Sequence, residues 1–214
     1  MLKNIISNRI LFIAVLLISF FRMNLEEGNS ACPTGFTPAN VTVMVNGCQV
    51  NVDLCVKCAP HALVAAEIRL VSWVKLDTNC NYSPSLTTAQ EMIAVKNAII
   101  QQRLLNLCSI SPCCPKEPQD PPCYNMKIEF YLPLCIQKTW DNGRIIRHTC
   151  ITKDGHCIST RYVCVDTNGQ LVSGADTYTV VGNYNCEENS EPADPTKGDP
   201  VTACFKIETP CGTP

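Results

Sequence analysis

Residues 128–166 read IEFYLPLCIQKTWDNGRIIRHTCITKDGHCISTRYVCVD. Ile128, Phe130, Leu132, Leu134 and Ile136 alternate with other residues, which is the period of a strand. Asn142-Gly143 supplies a two-residue turn. A type I′ turn needs positive φ twice, and Asn and Gly tolerate this best. A second turn is expected at Lys153-Asp154-Gly155, followed by a strand from Cys157 to Asp166. The stretch therefore predicts a three-stranded antiparallel meander. Pro133 predicts an edge or a bulge within it, because proline donates nothing to a ladder.

The Asn142-Gly143 turn fixes a register. Asp141 faces Arg144 and Trp140 faces Ile145; further out, Leu134 faces Ile151 and Cys135 faces Cys150. Opposed Cβ atoms lie about 4.5–5.5 Å apart, and a disulfide wants about 3.5–4.5 Å. Cys135–Cys150 is the pairing the register predicts. By alternation it is a hydrogen-bonded pair, the wider kind, so the bond requires local twist.

Upstream, residues 41–55 (VTVMVNGCQVNVDLC) give a second hairpin. With Asn46-Gly47 as the turn, Val45 faces Cys48, Val43 faces Val50 and Val41 faces Val52, all on one face. Gln49, Asn51 and Asp53 fall on the other. Pattern, turn and register agree. A further strand is expected over residues 67–76. Residues 88–107 carry the one principal helix. Thr88 and Glu91 have capping-box spacing, and Met92, Val95, Ile99, Ile100, Leu104 and Leu107 form a broad apolar stripe. Cys108 is placed to pin the helix end.

Residues 111–123 (SPCCPKEPQDPPC) form a Pro/Cys-rich connector that denies helix and central strand. Beyond the meander, Asn168-Gly169 is a turn, and strands are expected at 171–172, 177–181 and 201–208. Residues 187–200 are acidic and Pro-rich and read as an exposed mobile loop. Cys48 and Cys55 share their spacing with Cys157 and Cys164, a weak internal echo. The fold class is mainly β with one principal helix (α+β), built of disulfide-rich antiparallel sheets and hairpins. Its expected parts are a helix-bearing subdomain over residues 32–110, the connector 111–123, and a β-meander subdomain over 124–214.

Composition bounds the function. The 214-residue chain carries a net charge of −2, with 17% charged residues and 16 cysteines. No basic run offers a footprint for nucleic acid. The cysteines are Cys32, Cys48, Cys55, Cys58, Cys80, Cys108, Cys113, Cys114, Cys123, Cys135, Cys150, Cys157, Cys164, Cys186, Cys204 and Cys211. An even, dense set of this kind implies a disulfide framework formed in an oxidising compartment. Lys3, Arg9 and the apolar run over residues 10–21 have the layout of a signal peptide, with a polar cleavage region reaching residue 31. An uncleaved anchor is the competing reading of that run. The expected location is extracellular or at the cell surface, without stable membrane insertion after signal cleavage.

Motifs for chemistry are sparse. Cys55-Val-Lys-Cys58 is a CxxC, but Ala59-Pro60 cannot readily open the helix that would activate its first thiol. Cys55, Cys58 and His61 would be three of four zinc ligands, and no partner motif stands at finger spacing. Cys157 with His148 is a formal nucleophile–base pair without a nucleophile elbow. Asn40-Val-Thr42 and Asn81-Tyr-Ser83 match the N-glycosylation sequon, which matters in a eukaryotic source. No cofactor is expected. The preferred function is a non-catalytic structural or binding protein that associates with proteins, including copies of itself, through strand edges. The rivals are a secreted thiol–disulfide redox protein using Cys55 and Cys58, and a secreted inhibitor or toxin-like ligand.

Overall fold

The structure, a computed structural model, describes residues 32–61, 63–82, 85–113, 126–150, 155–183 and 185–211. Its strands are β1 (Thr37–Val45), β2 (Cys48–His61), β3 (Val64–Lys75), β4 (Met126–Pro133), β5 (Cys135–Asp141), β6 (Arg144–Thr149), β7 (His156–Val165), β8 (Leu171–Val181) and β9 (Phe205–Lys206). Between β3 and β4 lie helices α1 (Thr88–Gln102) and α2 (Leu104–Leu107). The protein is mainly β with one sizeable helix, as its hairpin grammar predicts.

Both hairpin registers are those the turns dictate. Val45 pairs with Cys48, Val43 with Val50 and Val41 with Val52. Asp141 pairs with Arg144 and Trp140 with Ile145. Asn46 and Asn142 both take φ 46°, and Gly47 and Gly143 both take φ 84°, the left-handed conformations a type I′ turn requires.

The sheet is organised around β3. One side of β3 pairs with β2 along its length. The other side is shared: residues 64–69 pair with β4, and residues 72–74 pair with β6. From this fork one limb runs β4-β7-β8 and the other β6-β5-β9. The sheet is mostly antiparallel, with one parallel pair, β3 and β4. One expectation is corrected here: the meander is not formed, because β6 pairs with β3 while β7 pairs with β4 and does not neighbour β6. The cause sits at Pro133 and Leu134. The expected single strand over residues 128–136 ends at Pro133, the last β4 residue paired with β7, and restarts at Cys135 in the other limb.

Strands from both sides of residues 111–123 thus share one sheet, and Cys32–Pro214 is one compact unit. The two subdomains expected across the connector are therefore a single body. Helix α1 covers one face of the sheet. Met92, Val95 and Ile99 of α1 and Leu104 of α2 are each 0% exposed and pack with Ile68, Phe130 and Leu132 in the core. The cap lies one residue earlier than the spacing of Thr88 and Glu91 predicts. Thr87 accepts from the Gln90 N–H at 3.3 Å, and Gln90 Oε1 accepts from the Thr87 N–H at 3.0 Å. Thr88 and Glu91 are instead buried inside the first turn. The expected strands at 171–172 and 177–181 are one strand, β8, whose register shifts opposite Tyr162. The expected strand over 201–208 shrinks to the two residues of β9.

Candidate functional site: the edges of the sheet

Each sheet limit exposes backbone N–H and C=O groups unless something covers them. At β1 the covering group is the end of α1. The Met44 N–H donates to Gln102 Oε1 and the Met44 carbonyl accepts from Gln102 Nε2, both at 2.9 Å. Arg103 Nε donates to the Thr42 carbonyl at 2.7 Å. A side-chain amide carries the donor and acceptor of a peptide, so Gln102 stands in for a neighbouring strand. Pro38 removes another donor from the same edge.

At β9 the cover is the acidic segment. The Glu188 N–H donates to the Cys204 carbonyl at 3.1 Å, and the Lys206 N–H donates to the Glu188 carbonyl at 2.8 Å. Two adjacent disulfides, Cys135–Cys186 and Cys150–Cys204, hold this segment against the β5–β6 hairpin. Lys138, 2% exposed, reaches Glu191 at 2.7 Å and Asp194 at 2.6 Å. Thr88 donates to Glu191 as well. The segment is exposed as expected, yet tied down at both ends and in the middle.

At β8 no described residue takes that covering role. This strand pairs with β7 alone, and residues 172–175, 177, 179 and 181 are exposed. Its sequence, LVSGADTYTVV, has no lysine, arginine or proline to discourage pairing. Val172 and Val181 are 48% and 37% exposed.

Asp176, the one charge on β8, points inward and fixes the strand to the core. Its carboxylate accepts from Lys96 Nζ at 2.6 Å, Arg161 Nη2 at 2.6 Å, Arg161 Nε at 2.8 Å and Ser159 Oγ at 2.9 Å. Lys96 is 0% exposed and donates to Ser159 Oγ at 3.1 Å, while Arg161 also donates to Asn97. Burial pushes the Lys96 ammonium below its usual pKa, against the pull of Asp176. Burial would raise the Asp176 carboxyl. The hydrogen bonds from Arg161, Lys96 and Ser159 outweigh it and hold the group well below the usual carboxylate range. Burial, then the Asp176 charge, pushes the Tyr178 phenol up to about 12. One helix residue thus anchors the outermost strand through a buried ion triad. A second buried pair, Arg147 with Glu91 at 3.1 Å, ties the same helix to β6.

Fourteen of the expected disulfide cysteines are described, in seven bonds: 32–55, 48–80, 58–108, 113–164, 135–186, 150–204 and 157–211. Cys114 and Cys123 lie outside the described residues. The predicted Cys135–Cys150 bond is overturned although its register is right. The Cys150 N–H donates to the Cys135 carbonyl at 3.2 Å, so the two are direct neighbours. Theirs is the wide, hydrogen-bonded kind of pair, and each sulfur bonds the acidic segment instead. Cys108 does pin the helix end, to Cys58.

The chemical candidates disperse. Cys55 and Cys58 bond Cys32 and Cys108, so they are not a CxxC disulfide, and neither is a thiolate able to join His61 on a metal. Cys157 is 0% exposed and bonded to Cys211, which removes it as a nucleophile. His148 lies across β3 from Asp53, its Nε2 3.0 Å from Thr139 Oγ1. Burial holds its pKa down, partly offset by Asp53. Asn40 is exposed on β1, but its Nδ2 donates to Asp53 at 2.7 Å; Asn81 is exposed in the loop after β3. Sequence reasoning missed Lys96, Asp176, Gln102 and Arg103 as a working set. One signal was present: Lys96 follows Met92 by four residues inside the apolar stripe, where a lysine needs a buried partner.

Among the described residues no helix is long and apolar enough to cross a membrane, and no group of three His, Cys, Asp or Glu is placed to hold a metal ion. Seven disulfides fit a protein stabilised for an extracellular setting. Comparison with protein-family models, with curated proteins and with solved structures finds no match to this chain.

Proposed function

We propose that this is a non-catalytic extracellular or cell-surface structural protein that associates with copies of itself by strand addition at β8. The observation that supports this reading is the contrast among the three edges. β9 is covered by the chain's own backbone and the turn end of β1 by side chains at Thr42 and Met44, while an eleven-residue edge with no outward charge is left uncovered by described residues. One strand edge uncovered along its whole length among the described residues favours a closed two-fold pair, β8 against β8, over a filament, because head-to-tail growth needs a second such edge. The rigid frame supports it too: partners meet a preformed edge and lose little chain entropy on pairing.

The test is sedimentation of the mature protein over a wide concentration range, beside two variants. Thr177→Lys/Thr179→Lys places charges on β8, and Met44→Lys places one on the covered β1. Association that is lost in the first variant and kept in the second supports the proposal. A protein that is monomeric throughout, or association indifferent to the β8 lysines, overturns it.

A further inference from the structure

Six of the seven described disulfides are shielded, and one is not. Cys58 is the single described cysteine in the exposed class. Its partner Cys108 is 4% exposed. In the other six pairs both cysteines are buried or half-buried, so none presents an exposed cysteine to solvent. Cys58 also opens onto a cleft of about 430 Å³, with Gly35, Thr37, Lys57 and Leu107 in its walls. A small thiol fits such a volume, and the Lys57 ammonium in the cleft wall favours its anionic form. The neighbouring Ala59 takes φ 45°, a left-handed conformation unfavourable for a residue with a Cβ, where the β2–β3 ladder loses register.

We propose that Cys58–Cys108 is a thiol–disulfide exchange site for an external low-molecular-weight thiol, and that its opening loosens the helix end covering β1. In the step, the external thiolate attacks Cys58 Sγ and the Cys58–Cys108 bond breaks. Cys108 leaves as a thiolate with the electron pair and takes a proton from water. A mixed disulfide remains on Cys58; the external thiol is oxidised and Cys108 reduced. The protein is the substrate of this exchange, not its catalyst.

The structural consequence follows from chain order. Gln102 and Arg103, which cover β1, stand six and five residues before Cys108. Arg103 already breaks the helix between α1 and α2, with φ −128°. After exchange, the short α2 is held by buried Leu104 and half-buried Leu107 among its own residues. The cover loosens while the helix stays docked.

The experiment treats native protein with 2-mercaptoethanol, quenches by alkylation at intervals, and maps the labelled peptides. Alkylation of Cys108, with the 2-mercaptoethanol adduct on Cys58, is expected about tenfold sooner than the opening of any other described pair. Faster labelling of Cys113 and Cys164, or simultaneous labelling of all pairs, overturns the proposal. Lys57→Glu is expected to slow the reaction with the anionic thiol mercaptoethanesulfonate several-fold more than with 2-mercaptoethanol. Equal slowing removes the lysine from the mechanism. In a Cys58→Ser/Cys108→Ser variant, amide exchange at Met44 should rise about tenfold while that of β7 is unchanged. An unchanged Met44 amide sinks the link to β1. Should that variant fail to fold, the labelling order in the native protein still decides the exchange site.

Discussion

β1 and β8 are both outer strands of one sheet, and both are rich in β-branched residues, yet one edge is closed and the other open. Composition does not explain this. β1 exposes Met44 at 46%, much as β8 exposes Val172 at 48%. The difference lies in where α1 ends. The C-terminal end of the helix reaches β1 and lays Gln102 and Arg103 over its backbone groups. The middle of the helix passes β8 and offers only Lys96, which grips Asp176 from inside. The same helix therefore closes one edge and merely fastens the other. An edge is protected by what the fold places over it, and a strand can be firmly anchored while its outer ladder remains free.

The comparison breaks most severely at Asp176. Asp176→Ala leaves the fully buried Lys96 and the largely buried Arg161 as unpaired cations. Removing one partner of a buried pair typically costs about 3–5 kcal/mol. Chemical denaturation should register a loss of this size, and hydrogen exchange should place the first opening in β8. Loss confined to β1 would mean the triad does not anchor the open edge.

Next in size is the fastening of the covered β9 edge. Cys135→Ser/Cys186→Ser unties the start of the acidic segment from β5. Losing a native disulfide typically costs about 2–5 kcal/mol. If β9 is closed by its own chain as described, association should also increase in the variant, because the Glu188 backbone bonds weaken. Sedimentation checks this; loss of stability without added association would show that the segment braces the limb but does not guard it.

Acid tests the anchor without mutation. The Asp176 carboxyl is held below its ordinary pKa, so its folded-state pKa is lower than its unfolded one. Such a group contributes stability that is present above the unfolded pKa and lost as pH falls through the folded pKa. Stability should therefore decline from about pH 4 downward. Asp176→Asn should decline less over the same window. Equal slopes for the two proteins would assign the acid sensitivity elsewhere.

The sequence carried the local half of this architecture. Asn46-Gly47 and Asn142-Gly143 set two hairpin registers because a two-residue turn leaves no slack, and the alternation of valines confirms which face is inward. The helix was legible from its stripe, to within a one-residue shift of its cap. The non-local half was not. Nothing in residues 128–166 says that β4 and β6 both pair with β3, since β3 lies more than fifty residues upstream and parallel pairing leaves no turn signature. The disulfides failed for the same reason. Cys135 and Cys150 are adjacent in a correctly derived register, but their bonding depends on a segment that returns from residues 186–204. Gln102 and Arg103 looked like ordinary polar residues at a helix end; their role exists only once β1 lies beneath them.

The smallest perturbation is the sharpest. Gln102 is solvent-exposed and contributes two hydrogen bonds to Met44. Exposed neutral hydrogen bonds contribute about 0.5–1.5 kcal/mol, so Gln102→Ala should barely move the denaturation midpoint. It should still speed exchange of the Met44 amide, by about tenfold for a loss near 1.4 kcal/mol of local protection. Gln102→Glu retains the acceptor for the Met44 N–H but removes the donor to its carbonyl, so it should protect that amide more than alanine does. If both substitutions leave the amide as slow as in the native protein, the β1 edge is closed by something other than the helix end, and the contrast between the two edges no longer rests on where α1 stops.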